Sequence, residues 1–180
     1  MNPRRAGITR TAKRTSLIFA AACGLNVLFG AVAAPAQPAT RVRGQFGDWQ
    51  KICTTPVGSK REICAIVQDV ISESNPNVGL SVHFQKVRSG GKILRVVAPL
   101  GIILPPGLGL QIDDAKVGHA PFVRCGVIGC LARVTLTKDL ITKFSSGKTA
   151  IFIVFQTKEA GIGIPVSLAG FSPGLASLDQ

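Results

Sequence analysis

Residues 82–98 read Val82-His83-Phe84-Gln85-Lys86-Val87-Arg88-Ser89-Gly90-Gly91-Lys92-Ile93-Leu94-Arg95-Val96-Val97-Ala98, and this stretch decides the fold class. Val82 and Phe84 alternate with His83 and Gln85, the period of two expected of a strand with one face in a core. Ser89-Gly90-Gly91-Lys92 supplies turn chemistry, and Ile93–Ala98 is a second β-prone run, so the two segments predict an antiparallel hairpin.

The same texture extends both ways. Upstream, Glu62–Ile71 is dominated by Ile, Val, Cys and Ala, which suits a strand buried on much of both faces, and Asn75-Pro76-Asn77-Val78-Gly79 is a turn cluster. Downstream, Leu100–Ile112 could be read as a membrane-active loop, but Pro105-Pro106-Gly107 is more plainly expected to separate two short core strands within it. Cys130, Ala132, Val134 and Leu136 share one strand face, with Arg133 and Thr135 on the other. Thr137 is placed to cap a helix whose buried stripe is Leu140, Ile141 and Phe144, and Gly147 ends it. Thr149–Gln156 reads as a buried strand, and Ser172-Pro173 as the start of a short helix presenting Leu175 and Leu178. The chain has 180 residues, enough for one domain. The expected fold is mainly β: a compact antiparallel β-sandwich or barrel-like domain with one or two short helices, stapled by two disulfides.

The N-terminus has a different character. Arg4, Arg5, Arg10, Lys13 and Arg14 precede an apolar run, Leu17 to Phe29, which gives way to Gly30-Ala31-Val32-Ala33-Ala34-Pro35-Ala36. A positive segment, a short apolar segment and an Ala-x-Ala exit predict a secretory signal over 1–36, cleaved after Ala33 or Ala36. Ordinary secretion is favoured over three alternatives. An uncleaved anchor would carry Asn26, Gly24, Gly30 and Pro35 inside its span. Acylation at Cys23 would follow a short apolar run, and the residues after Arg4-Arg5 are not those of a twin-arginine signal. Residues 37–44 read as a linker and 45–180 as the β-rich domain. The whole chain carries 21 Lys plus Arg against 9 acids, a net +12; removing 1–36 takes five positive charges and leaves +7. An exported basic domain meets anionic lipid, lipopolysaccharide or host-surface polymers before any nucleic acid. The charge by itself identifies no partner, and a soluble basic surface with no dedicated ligand is the favoured reading; the alternative is an anionic envelope or host-surface ligand, nucleic acid is not expected, and no stable transmembrane anchor remains after signal cleavage.

Cys23 leaves with the signal, so Cys53, Cys64, Cys125 and Cys130 remain. An even count in an oxidising compartment predicts two disulfides. Three connectivities are possible; pairing Cys53 with Cys64 and Cys125 with Cys130 is favoured, because a short turn can close each pair. A zinc site fits poorly: Cys125-x4-Cys130 is at the edge of ligand spacing, Cys53-x10-Cys64 is far outside it, and Pro121 intervenes between His119 and Cys125. No Cys-x-x-Cys occurs. Neither metal nor cofactor is expected.

A hydrolase needs a nucleophile and an oriented base, and only His83 and His119 titrate near neutrality. His83 falls on the polar face of a strand, and His119 in a turn before Ala120-Pro121. There is no Gly-x-Ser-x-Gly elbow and no phosphate-binding Gly-rich loop ending in Lys-Ser/Thr. The adjacent acids Asp113 and Asp114 point to opposite faces if extended. No enzymatic activity is expected.

Phe46-Gly47-Asp48-Trp49 followed by Cys53, then Cys64 with Gln68, resembles the opening of the invasion-associated locus B (IalB) family. Phe122-x-Arg124-Cys125-x4-Cys130-x-Ala132 resembles its second cysteine motif, and Pro165-Val166-Ser167-Leu168-x-Gly170-Phe171 its closing signature. The resemblance spans residues 45–178. It implies an exported envelope or secreted protein of Gram-negative bacteria, periplasmic or outer-membrane-associated, of compact β-rich fold with two disulfides. It also implies an association, in some members, with entry into host cells. No catalytic residues come with it. From chemistry alone, Trp49 is expected to anchor the core with a partner for its indole N–H, Asp48 to cap a turn, Gly47 and Gly170 to supply unusual backbone conformations, and Arg124 to pair with an acid in preference to reading an anionic partner. The function expected is surface binding that aids host-cell entry. The alternatives are a periplasmic structural or chaperone-like envelope factor and, last, a hydrolase using His83 or His119.

Overall fold

The computed structural model describes residues 37–73, 75–158 and 160–180. The signal segment, its cleavage positions and Cys23 lie outside the described residues. Eleven strands and two helices follow one another as β1 (Ala39–Phe46), β2 (Trp49–Thr55), β3 (Ile63–Ile71), β4 (Gly79–Lys86), β5 (Lys92–Ala98), β6 (Leu108–Ile112), β7 (Ala115–Ala120), β8 (Phe122–Gly126), β9 (Gly129–Thr135), α1 (Lys138–Ser146), β10 (Thr149–Phe155), β11 (Gly161–Ser167) and α2 (Phe171–Ser177).

The strands form two antiparallel sheets. One runs β1-β2-β3-β4-β5-β9-β8 and the other β11-β10-β6-β7, and they do not close into a barrel. The chain meanders through β1–β5, crosses to lay down β6 and β7, and returns with the β8–β9 hairpin. The predicted β4–β5 hairpin pairs Phe84 with Leu94 and Val82 with Val96, all four fully or almost fully buried. Both sheets and both helices contribute to a single core. At its centre Phe84 meets Trp49, Phe144 and Phe171 edge-on, with centroids 5.3, 5.0 and 4.8 Å away. These four rings join the larger sheet to both helices.

Helix α1 is capped as its sequence requires: the Thr137 hydroxyl accepts the Leu140 N–H at 3.2 Å. It ends at Gly147, where a Cβ would press on Ile112 and Leu168. Pro165 sits exposed on the edge strand β11, where its missing N–H breaks no ladder.

Three expectations need correction. His119, expected in a turn, lies on β7, paired with Gly109 of β6; Pro121 only ends that strand. The stretch 37–44, expected as a linker, is mostly strand: β1 begins at Ala39 and pairs with β2, with a bulge at Arg43. As a sheet edge it exposes most of its side chains, so Arg41 and Arg43 can be polar and the apolar alternation that marks a strand is weak. Leu100–Ile112 holds one strand, not two. Gly101 takes φ +81°, Pro105 and Pro106 have no N–H, and the segment before Leu108 touches the smaller sheet through the Ile103 N–H to Phe155 carbonyl bond at 2.6 Å.

Candidate functional site

Both disulfides form between residues directly opposite in register, Cys53–Cys64 across β2–β3 and Cys125–Cys130 across β8–β9. The first lies beside an open groove of about 680 Å³, lined by Cys64, at the end of the large sheet where β2 meets β3 and β4 meets β5. Its walls carry four cations, Lys51, Arg61, Lys86 and Arg88, and one acid, Glu62.

Most of this charge is held in place. Glu62 is engaged by Arg43 of β1 at 2.6 Å. Lys51 reaches the Ser177 carbonyl at the C-terminal end of α2, 2.5 Å away, where a helix presents unpaired carbonyls and the negative end of its dipole. Asp179 accepts from Lys92 at 2.8 Å and Lys86 at 3.0 Å, and these hydrogen bonds, the Lys92 bond first, hold its carboxyl below the ordinary value of 3.8. Arg61 and Arg88 belong to none of the four ion pairs among the described residues. The groove therefore offers two guanidinium groups not engaged in an ion pair among the described residues, suited to bidentate contact with carboxylate, phosphate or sulfate.

The two histidines lie apart. His83, on β4, receives or donates a 2.7 Å hydrogen bond with Ser81 two residues earlier on the same face. Burial pushes its pKa below 6.5, Arg95 opposite it in register pushes the same way, and Asp69 opposes them. His119 lines a small cavity of about 220 Å³ between β5, β6, β7, β9, β10 and α1, and the rest of that lining is aliphatic apart from Phe152 and Gly118. No nucleophile lines that cavity with His119, and His83 lines neither it nor the groove. Asp113 and Asp114 occupy the β6–β7 turn. Asp113, at φ +50°, turns its carboxylate onto the Lys148 and Thr149 N–H groups, both at 3.0 Å, where it stabilises backbone. The Cys53, Glu62 and Cys64 ligand atoms cluster, but both sulfurs are consumed in a disulfide and neither can be a thiolate ligand.

The motif residues converge elsewhere. Trp49 is fully buried and donates its indole N–H to the Ser167 carbonyl at 3.1 Å. Gln68 donates to the Asp48 and Ser167 carbonyls, both at 3.2 Å, and accepts the Ser167 N–H at 3.0 Å. The Phe46-Gly47-Asp48-Trp49 turn and the Leu168-Ala169-Gly170-Phe171 turn interlock: Asp48 N–H bonds the Ala169 carbonyl, and each glycine, at positive φ, lies against the other turn's backbone. The first and third motifs thus form one structural lock between the sheets. Phe122, Arg124, Cys125 and Cys130 form the separate β8–β9 hairpin, where Arg124 is exposed and, contrary to expectation, pairs with no acid among the described residues, because its strand is the sheet edge and faces solvent. Of all the motif residues only Cys64 lines the groove. Arg61 and Arg88 escaped the sequence reading, since the only signal was basic residues in two turns that the β2–β3 and β4–β5 hairpins bring to the same end.

Fold and lock together define a small disulfide-stapled protein of two antiparallel sheets whose shared motifs are structural and whose polar concavity is cationic. The Invasion associated locus B (IalB) protein family matches over residues 49–179, and the chain belongs to that family. The crystal structure of invasion associated protein b from Bartonella henselae has the same fold, with a TM-score of 0.63 at 20% identity, covering 76% of this chain and 93% of that one. No curated protein sequence matches this chain. Among the described residues, no helix is long and apolar enough to cross a membrane.

Proposed function

We propose that this protein is an exported, non-enzymatic binding protein of the bacterial envelope, acting at the cell surface or after release. Its groove takes an anionic polymer, and that contact aids attachment to and entry into host cells. The observation that carries this reading is the pair Arg61 and Arg88, in no ion pair among the described residues, at the rim of a groove large enough for several sugar or phosphate units. Two disulfides support export, because such bonds persist in oxidising compartments. The predicted signal, the +7 charge of residues 37–180 and the family's name agree with it.

The test measures binding of the mature protein to immobilised lipopolysaccharide and to a sulfated polysaccharide, with a neutral dextran as control. Affinity should fall steeply with salt, and Arg61→Glu with Arg88→Glu should weaken it by about tenfold or more. Equal affinity of wild type and double variant, or equal binding to dextran, would sink the reading. Cell fractionation and mass determination of the mature N-terminus check export in parallel.

A further inference from the structure

Nine large hydrophobic side chains are exposed among the described residues, and five of them, Ile71, Leu100, Leu104, Val127 and Ile128, lie at one end of the sandwich. Strand register places them there. β3 ends at Ile71 opposite Gly79, β5 ends at Ala98 opposite Cys130, and Val127-Ile128 forms the turn between the paired Gly126 and Gly129. The smaller sheet reaches the same end, because Ile103 bonds the Phe155 carbonyl and Asn75 bonds Gln156 at 3.3 Å. The cationic groove occupies the opposite end, where Thr54 pairs with Ile63 and Lys86 with Lys92.

This apolar end is unlike an ordinary loop surface. Residues 98–112 and 125–132 contain no charged side chain. Val127 and Ile128 are 97% and 82% exposed at the two central positions of a hairpin turn, where Asn, Asp and Gly are the usual choices. The Cys125–Cys130 disulfide closes the strands directly behind them, so the tip keeps its shape while displaying aliphatic groups to solvent. The five side chains together expose on the order of 500 Å², near the upper end for the largest apolar patch on a soluble monomer. That falls short of the ~800 Å² per partner of a stable protein interface. It is also divided among three separate loops, so a protein partner would need three matching pits, whereas a fluid lipid surface conforms to each tip. Asp69, Glu73, Arg95 and Arg124 are the charges nearest in sequence to these side chains among the described residues, two of each sign, a mixture with no strong demand on lipid charge.

We infer that this end of the protein inserts into the interface of a lipid bilayer, with Val127 and Ile128 leading and Leu100, Leu104 and Ile71 following. Binding is driven by burial of aliphatic side chains and not by charge. The site is independent of the groove and leaves it facing away from the membrane.

The experiment is flotation of the full mature protein with vesicles of phosphatidylcholine alone, at low and high salt. Wild type floats with the vesicles in both. Val127→Asp with Ile128→Asp, and separately both to Ser, lower the bound fraction by about tenfold or more, from loss of two buried aliphatic groups. Both pairs keep the wild-type Tm, since those side chains touch solvent. Arg61→Glu with Arg88→Glu binds these vesicles as wild type does. Failure of wild type to float, loss of flotation at high salt, or equal flotation of the Asp pair overturns the inference. So does a concentration-dependent dimer in solution that the Asp pair abolishes, which would make this end a self-interface.

Discussion

Gln68 and Ser167 are joined by two hydrogen bonds, the carboxamide giving its N–H to the Ser167 carbonyl and taking the Ser167 N–H in return. The residues belong to different sheets, β3 and β11, so this pair is a polar rivet through the sandwich. The second N–H of the same carboxamide reaches the Asp48 carbonyl, and Trp49 adds its indole N–H to Ser167. A buried amide so placed fixes the angle between sheets more sharply than aliphatic packing, which is non-directional.

Removing that carboxamide takes away the side-chain partner of the Asp48 carbonyl and of the Ser167 N–H in a water-poor site, while the Ser167 carbonyl keeps the Trp49 indole. Gln68→Ala should cost about 2–4 kcal/mol, and Gln68→Glu should not rescue it, since a carboxylate cannot donate to two carbonyls. Urea unfolding measures both. A loss under about 0.5 kcal/mol, a typical surface value, would show that the rivet is not structural.

Gly170 and Gly47 each need both a positive φ and the absence of a side chain. At Gly170 (φ +83°) a Cβ would meet the Phe46 carbonyl, and at Gly47 (φ +55°) the Ala169 carbonyl. Gly90 has the same backbone demand, φ +88°, with nothing near. Gly90→Ala should therefore cost only the ~1–2 kcal/mol of a left-handed alanine. Gly170→Ala and Gly47→Ala should cost more than about 3 kcal/mol or prevent folding. Thermal unfolding of the three variants decides it; equal losses at all three sites would remove the interlocked turns as the explanation.

The fold was legible in the sequence where one local signal decided the outcome. The Val82/Phe84 alternation before Gly90-Gly91 gave the β4–β5 hairpin, and Thr137 with Leu140, Ile141 and Phe144 gave α1. Edge strands were harder: β1 hides its pattern because both its faces are largely wet, and β7 and β8 are short and mostly exposed. The groove was not legible at all. Arg61 and Arg88 are 27 positions apart and line one groove only because β3 and β4 pair in a register that no short-range pattern encodes. The family motifs marked the lock between the sheets and not the groove.

The two disulfides should separate in their effects. Cys53–Cys64 closes 11 residues and Cys125–Cys130 only 5. Loop entropy then predicts losses of about 3 and about 2 kcal/mol for the paired alanine variants. Function should divide differently from stability. Losing the first bridge loosens the floor of the groove and weakens polyanion binding, whereas losing the second frees the Val127-Ile128 tip and reduces flotation with vesicles. Denaturation midpoints with the two binding assays test this; a Cys125→Ala/Cys130→Ala protein that floats as wild type does would show that the tip needs no staple.

His83 gives stability a defined pH dependence. Burial first, and Arg95 second, favour its neutral form in the folded protein, so its folded pKa lies below the 6.5 of the unfolded chain. A base depressed in this way costs nothing above pH 6.5. As pH falls below that value the unfolded chain takes up a proton that the folded protein resists, and stability declines until the folded pKa is passed. His83→Gln should flatten this limb, and Arg95→Gln should shrink it by removing the repelling charge while leaving the burial. Asp179 does not interfere, because its own loss begins only below about pH 4. The measurement is the urea midpoint from pH 7.5 to 5, on the order of the range a histidine governs, with the imidazole titrated in parallel by NMR. A midpoint that rises on acidification, or a His83→Gln profile identical to wild type, would place the titrating group elsewhere.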